Sequence, residues 1–234
     1  MLQNPTLRSI GAAILALAIP TTAAPHPITQ RAQSELSITA QLKLADTAVE
    51  RYALLPNDED FVFDFNHGAV PIASSANFPP LVGTGISFNT GQLDACSMSI
   101  VHLHPRATEL FTLVSGHVLS EMIPQEGVVD SAGNQRVISV ELHPNMMTIF
   151  PAGSFHTQIN PDCEPANFTA AFTSDEFALG IVAKQLFSFS DEVVAATFGQ
   201  VVQGGDIEKV RDGIPVALAL RVEECLVKCG IEKR

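Results

Sequence analysis

Apolar positions along this chain change period twice. Across 34–55 the residues Leu36, Leu42, Leu44, Ala48 and Val49 recur at helical intervals with charges between them. That spacing predicts a helix, and Pro56-Asn57-Asp58 stops it. From Phe61 the period shortens. Phe61, Phe63 and Phe65 alternate with Val62, Asp64 and Asn66, which is strand spacing. Short apolar runs then recur at 83–88, 97–103, 110–114, 118–123, 137–142, 146–150 and 168–172, bounded by Gly, Pro, Asn or Ser. Many short strands with frequent turns predict an all-β sandwich or barrel. The stretch 130–134, Asp-Ser-Ala-Gly-Asn, reads as a hairpin turn. After Phe189 helical signals return. Ser190 is a cap with Asp191 and Glu192 behind it, 206–211 and 216–228 read as further helical pieces, and Gly230 ends the last.

The first 24 residues belong to none of this. A polar stretch with one cation, Arg8, leads into the apolar run IGAAILALAI at 10–19, followed by Pro20 and the small residues Thr21 to Ala24. This is the pattern of a secretory signal peptide, with cleavage expected after Ala23 or Ala24. The run is about half the length a membrane span requires. The expected organisation is therefore a signal peptide at 1–24, an N-terminal extension with a helix at 25–59, a β-barrel at 60–188 and a helical tail at 189–234. Secretion changes the reading of the four cysteines, Cys96, Cys163, Cys225 and Cys229. An even count in an oxidising compartment points to disulfides. Asn167-Phe168-Thr169 is a sequon, so Asn167 is a candidate glycosylation site.

Composition narrows the partners. The 234 residues are 46% hydrophobic, enough for one domain with a real core. A formal charge of -12 argues against nucleic acid and anionic membranes as partners.

Candidate chemistry sits in His102-Leu103-His104-Pro105-Arg106-Ala107-Thr108-Glu109. Two histidines at i and i+2 on a strand share a face. Pro105 to Thr108 turns the chain, and Glu109 opens the next strand. His156 follows the turn Pro151-Ala152-Gly153-Ser154. Three imidazoles and a carboxylate suit manganese, iron, nickel, copper or zinc. An octahedral ion on four protein ligands keeps two positions for water or substrate.

These residues resemble the cupin superfamily, and within it the germins and the spherulin-like proteins of fungi and slime moulds. The first germin motif, G-x5-H-x-H-x3,4-E-x6-G, is met at His102, His104, Glu109 and Gly116. The second, G-x5-P-x-G-x2-H-x3-N, is met at Pro151, Gly153, His156 and Asn160. The stretch 61–66, F-V-F-D-F-N, looks spherulin-like. The resemblance implies a jelly-roll barrel, the double-stranded β-helix, with manganese (alternatively iron) on His102, His104, Glu109 and His156. It also implies homo-oligomers from dimer to hexamer, built through terminal helices. Three positions depart from the pattern. Cys96 and Asn145 stand where each motif opens on glycine, and Ser99 stands where oxalate-oxidising germins carry asparagine.

In a cupin barrel the strand with His102 and His104 runs antiparallel beside the strand with His156. Antiparallel partners keep a constant sum of residue numbers. The pair Cys96 and Cys163 matches the sum set by the ligands to within one, so a Cys96–Cys163 disulfide is expected. Such a bridge stabilises by about 4–5 kcal/mol in the chain-entropy model. Cys225 and Cys229, at i and i+4 on an expected helix, either pair at a frayed end or stay reduced. His26, His67, His117 and His143 lie outside the ligand positions and are read as non-ligands, and Arg106 as a surface residue. The leading function is a secreted redox enzyme that dismutes superoxide or oxidises a small carboxylate with dioxygen. The alternative is a non-catalytic binding or structural protein of cell wall, spore or encystment.

Overall fold

A computed structural model describes residues 36–66, 71–202, 204–215 and 218–232. The expected signal peptide, His26 and His67 lie outside the described residues. The chain enters through two short helices, α1 (Ile38–Leu44) and α2 (Ala48–Ala53), rather than one. A capping box divides them. Thr47 accepts from the Glu50 amide at 3.2 Å, and Glu50 accepts from the Thr47 amide at 3.0 Å. This satisfies two orphan donors that a continuous helix would not expose.

The alternating phenylalanines are not a strand. A 3-10 turn covers Asp58–Phe61 and irregular backbone follows. The carboxylate of Asp64 accepts from the amide of Asn66 at 2.8 Å, which folds the extended chain into a turn. The rings still find one another. Phe63 packs on Phe65 and Phe78, and Phe65 packs on Phe88, with centroids 4.8 to 5.9 Å apart. The period-2 signal recorded one-sided burial without a ladder.

Among the described residues twelve strands follow: β1 (Ile72–Ala73), β2 (Ser87–Leu93), β3 (Ser97–Ser99), β4 (His102–Leu103), β5 (Glu109–Ser115), β6 (Val118–Ile123), β7 (Ile138–Leu142), β8 (Met147–Phe150), β9 (Phe155–Ile159), β10 (Ala166–Phe172), β11 (Gly180–Ile181) and β12 (Ala219–Arg221). One antiparallel sheet runs β1-β2-β10-β5-β8. In the other, β9 is flanked by β6 on one side and by β3 and β4 on the other. The hairpin strand β7 extends it beyond β6, and β12 and β11 extend it beyond β3 and β4. This is the jelly-roll architecture. Short helices α3 (Val182–Leu186), α4 (Asp191–Thr197), α5 (Gly205–Gly213) and α6 (Glu223–Cys229) complete the chain. Among the described residues no helix is long and apolar enough to cross a membrane.

Alternation builds the barrel interior. On β5 the side chains of Glu109, Phe111 and Leu113 are buried, and on β6 those of Val118, Ser120 and Met122. Of these, Phe111, Leu113, Val118 and Met122 meet Leu93, Leu142, Phe150 and Ala166 in one core. Gly116 turns β5 into β6 at φ +87°, and a Cβ there would lie 2.7 Å from the Ala166 backbone. Cys96 and Asn145, the two departures from the glycine pattern, both hold left-handed backbone, at φ +55° and +68°. The motif asks for a conformation there, and glycine is the least strained way to meet it. Asparagine tolerates that region. Cys96 is held in it by its amide on Asp162 O and by the Val222 amide on its own carbonyl, at 3.0 and 2.7 Å.

The tail is not wholly helical. β12 returns to pair with β3, setting Arg221 opposite Ser97. It therefore carries α6 directly over Cys96. The disulfides are Cys96–Cys225 and Cys163–Cys229, not Cys96–Cys163. The register reasoning did place Cys96 beside the right loop, since its amide bonds Asp162. The helix from the far end of the chain supplies the nearer sulfur to each partner. The two bridges are adjacent, with Cys96 Sγ 3.4 Å from Cys229 Sγ.

Candidate metal centre

Two strands and one strand end assemble the centre. β4 pairs with β9 so that His102 lies directly opposite His156. His104 is two residues on and shares the face of His102. The turn between His104 and Glu109 is pinned from outside. Gly153 donates its amide to His104 O at 2.9 Å, and Thr108 donates its amide to Thr173 Oγ1 at 2.9 Å. Arg106 points away and donates to the Glu176 carbonyl at 3.1 Å, as befits a surface residue. Glu109 begins β5 on the opposite sheet and faces the histidines across the barrel.

All four side chains are buried, each at 5% exposure or less. Their ligand atoms lie within 4.8 Å of one another. Each histidine uses Nδ1 to reach a backbone carbonyl: His102 to Ile100 at 2.8 Å, His104 to Ala178 at 2.8 Å and His156 to Ser154 at 2.9 Å. A carbonyl only accepts, so Nδ1 carries the proton and Nε2 presents a lone pair. Glu109 Oε2 lies 3.1 Å from His104 Nε2 and 3.2 Å from His156 Nε2. Lone pairs converging on a buried carboxylate repel unless a proton or a metal cation stands among them. The donor set therefore fits a divalent ion, with tautomers and ring planes already fixed by the outer carbonyls.

Without a metal, a proton on Nε2 can take the place of that cation beside Glu109. Burial, reinforced by His156, pushes His102 down to about 4. Burial alone would raise the Glu109 carboxyl. Hydrogen bonds and charge from His104 and His156 outweigh it and hold Glu109 at about 2. The site at neutral pH thus offers a carboxylate and a neutral His102, which are the forms that ligate.

Aromatic rings wall the centre. Phe150 stacks on His156 at 4.2 Å with an 8° tilt, and Phe172 and Phe177 present edges to His104 at 4.9 and 5.4 Å. A cavity of about 280 Å³ opens beside His102, His104 and Glu109. Its lining is mostly apolar, with Asn89, Gln92, Ser99 and Gln158 as the polar exceptions. The hydroxyl of Ser99, which replaces the asparagine of the oxalate-oxidising pattern, is fully engaged. It donates to Gln158 Oε1 and accepts from the Gln158 amide at 2.9 Å. Asn89 Oδ1 is buried without a hydrogen-bond partner. Sequence reasoning did not find Asn89, Gln92 or Gln158. Gln158 had a usable signal, since it stands at i+2 from His156 on one strand. Asn89 and Gln92 had none, because the register of β2 against β10 is not written in local spacing.

Two further sequence positions lie away from the centre. Asn160 is fully buried and clamps the β9–β10 loop rather than touching the cavity. Asn167 is exposed on β10 and donates to Ser115 Oγ at 2.8 Å.

A family model described as Cupin matches residues 53–202. Spherulin-1A of Physarum polycephalum is 30% identical over 203 residues, covering 82% of this chain and 79% of the relative. Germin-like protein subfamily 3 member 2 of Arabidopsis thaliana is 30% identical over 169 residues, 67% of this chain and 70% of the relative. Among solved structures, recombinant oxalate oxidase in complex with glycolate superposes with a TM-score of 0.55 at 22% identity. It covers 65% of this chain and 82% of its own.

Proposed function

Because the chain belongs to the cupin family, of germin-like and spherulin-like kind, we propose that it is a secreted manganese oxidoreductase acting on superoxide or a small carboxylate with dioxygen. The observation that carries this reading is the triple anchoring of Nδ1 to backbone carbonyls, which leaves three Nε2 lone pairs and the Glu109 carboxylate aimed at one point. His102, His104, Glu109 and His156 would hold the ion, and iron is the alternative occupant. Bound manganese supplies a redox couple and open coordination positions. The protein residues do the rest. Phe150, Phe172 and Phe177 exclude water. Gln158, fixed by Ser99, and Asn89, with its free carbonyl oxygen, offer polar contacts to a small substrate in the cavity. The solved relative bound to glycolate supports a small carboxylate as one substrate class.

A second reading has its own support. The cavity lining contains no ionisable side chain other than the ligand residues themselves. A site without a separate acid or base also suits a non-catalytic extracellular protein of wall, spore or encystment. Association into dimers or hexamers belongs to the same proposal. The outward apolar residues Val114, Met147 and Ile149 on adjoining strands β5 and β8 are about half exposed and support it.

The test is direct. The secreted protein is purified, its metal is counted by elemental analysis, and superoxide dismutation and oxalate oxidation are assayed. One manganese per chain with either activity is expected, and His104→Ala should lose both while staying folded. Absence of stoichiometric metal refutes the reading, and metal without activity selects the non-catalytic alternative. A mass shift on deglycosylation that vanishes in Asn167→Gln checks the sequon.

A further inference from the structure

We propose a second cation site, on the barrel surface, formed by His117, Glu141 and His143 and suited to zinc. Sequence spacing hides it, because His117 lies 24 or more positions from Glu141 and His143, and all three are outside every ligand motif. Strand register produces it. The β6–β7 hairpin pairs Val118 with Leu142 and Leu119 with Glu141. One step further along the same ladder sets His117 opposite His143. Glu141 stands two residues before His143, so it shares that face. The imidazoles stack in parallel, with centroids 5.1 Å apart and planes 12° apart. Glu141 Oε1 lies 2.9 Å from His117 Nε2 and 3.5 Å from His143 Nε2. Two ligands about 2.0–2.1 Å from a tetrahedral zinc stand roughly 3.3 Å apart, so these spacings match within small rotations.

Two observations separate this cluster from an ordinary surface ion pair. First, His117 Nδ1 is hydrogen-bonded to Asp162 Oδ2 at 3.2 Å, an arrangement that fixes the tautomer and turns the Nε2 lone pair outward to the cluster. Second, His117 Nε2 is buried and has no hydrogen-bond partner, although the Glu141 carboxylate is so close. The contact lacks the alignment of an N–H···O bond. A cation between the two groups satisfies both, and a nitrogen and oxygen donor set of this kind favours zinc over magnesium or calcium. His143 and Glu141 are more than half exposed and free to adjust, which leaves a fourth position for water. The site is separate from the buried one. His117 lies five residues along β6 from Met122, the partner of His156, or roughly 17 Å.

The experiment titrates zinc sulphate into the folded, chelator-treated protein and counts sites by calorimetry and elemental analysis. The wild type should bind one zinc more than His143→Ala or Glu141→Gln, both exposed replacements that leave the core alone. Asp162→Ala, which removes the acceptor that anchors His117 Nδ1, should keep the stoichiometry and weaken the site about tenfold. The count is a difference between variants, so it does not depend on whether the buried site takes zinc. His104→Ala should lower the count only if the buried site does. Equal zinc counts in wild type, His143→Ala and Glu141→Gln would overturn the proposal, as would histidine-ring NMR signals of His117 that do not move on titration.

Discussion

The ring of Phe150 lies flat on the imidazole of His156, 4.2 Å away, and both side chains are almost wholly buried. The pair joins the apolar core to the candidate metal centre, since Phe150 also opposes Glu109 across β8 and β5. Replacing Phe150 by leucine keeps most of the buried volume and removes the flat face. The expected stability loss is small, about 1 kcal/mol. Metal affinity should fall further, about tenfold, because His156 loses the surface that holds its plane. Metal titration beside denaturant unfolding separates the two, and unchanged affinity in the folded variant would refute the coupling.

Acid should destabilise the metal-free protein in two stages. His102 is held at about 4 against an ordinary 6.5, so the unfolded chain binds the extra proton between those values. Stability is complete above 6.5 and declines as pH falls towards 4, by about 3 kcal/mol. Glu109 follows. Its carboxyl is held at about 2 against 4.5, so its contribution is intact above 4.5 and disappears as pH falls through 2. Chemical denaturation of chelated protein from pH 7 to 4 measures the first stage. A flat profile that His102→Gln leaves unchanged would contradict it.

Asn160 should be among the least replaceable polar residues. Its amide nitrogen faces the carbonyls of Leu93, Asp94 and Glu164 at 2.8 to 3.1 Å, and its oxygen accepts from the Asp162 amide at 3.0 Å. Two protons serve three acceptors, so one bond is shared. Asn160→Ala strands several buried backbone groups, at about 1–3 kcal/mol each. Asn160→Asp removes both donors and should be no milder. Thermal unfolding of the two variants tests the order.

Loss of one bridge should provoke exchange. In Cys225→Ser the freed Cys96 sulfur remains 3.4 Å from Cys229, whose bridge runs to Cys163. Attack there yields a Cys96–Cys229 bond and a free Cys163. Non-reducing peptide mapping should find that new pair, whereas a persistent Cys163–Cys229 bridge with a free thiol at Cys96 would exclude the exchange. The double variant Cys96→Ser and Cys225→Ser should lose about 2–5 kcal/mol.

What could be read in advance follows the range of the interaction that fixed it. His102 and His104 share a face because a strand repeats every two residues, and that needs no tertiary knowledge. Glu109 and His156 came with motif spacing. The cysteine partners did not, because they depend on where β12 returns, and the helical pattern of 216–228 gave no hint of a strand at Ala219–Arg221. The alternating phenylalanines of 61–65 failed for a similar reason. An Asx turn at Asp64 outweighed the period. His117 and His143 meet through a hairpin whose loop runs from 124 to 137, too long for its register to be inferred locally.

The Cys96–Cys225 bridge spans 129 positions of sequence, and all four candidate metal ligands fall inside that interval. With the bridge intact, denaturation opens the barrel but cannot straighten the chain. The three imidazoles and the carboxylate remain beads on one closed ring, at an effective concentration higher than in a linear coil. A transition metal can then hold on to the denatured ring through some of the same side chains, and such retention reduces the stability that the metal confers on the native state. Oxidation and metallation of this site would therefore act as partly redundant safeguards. The contribution of the metal should be largest in the reduced chain and smallest once the ring is closed.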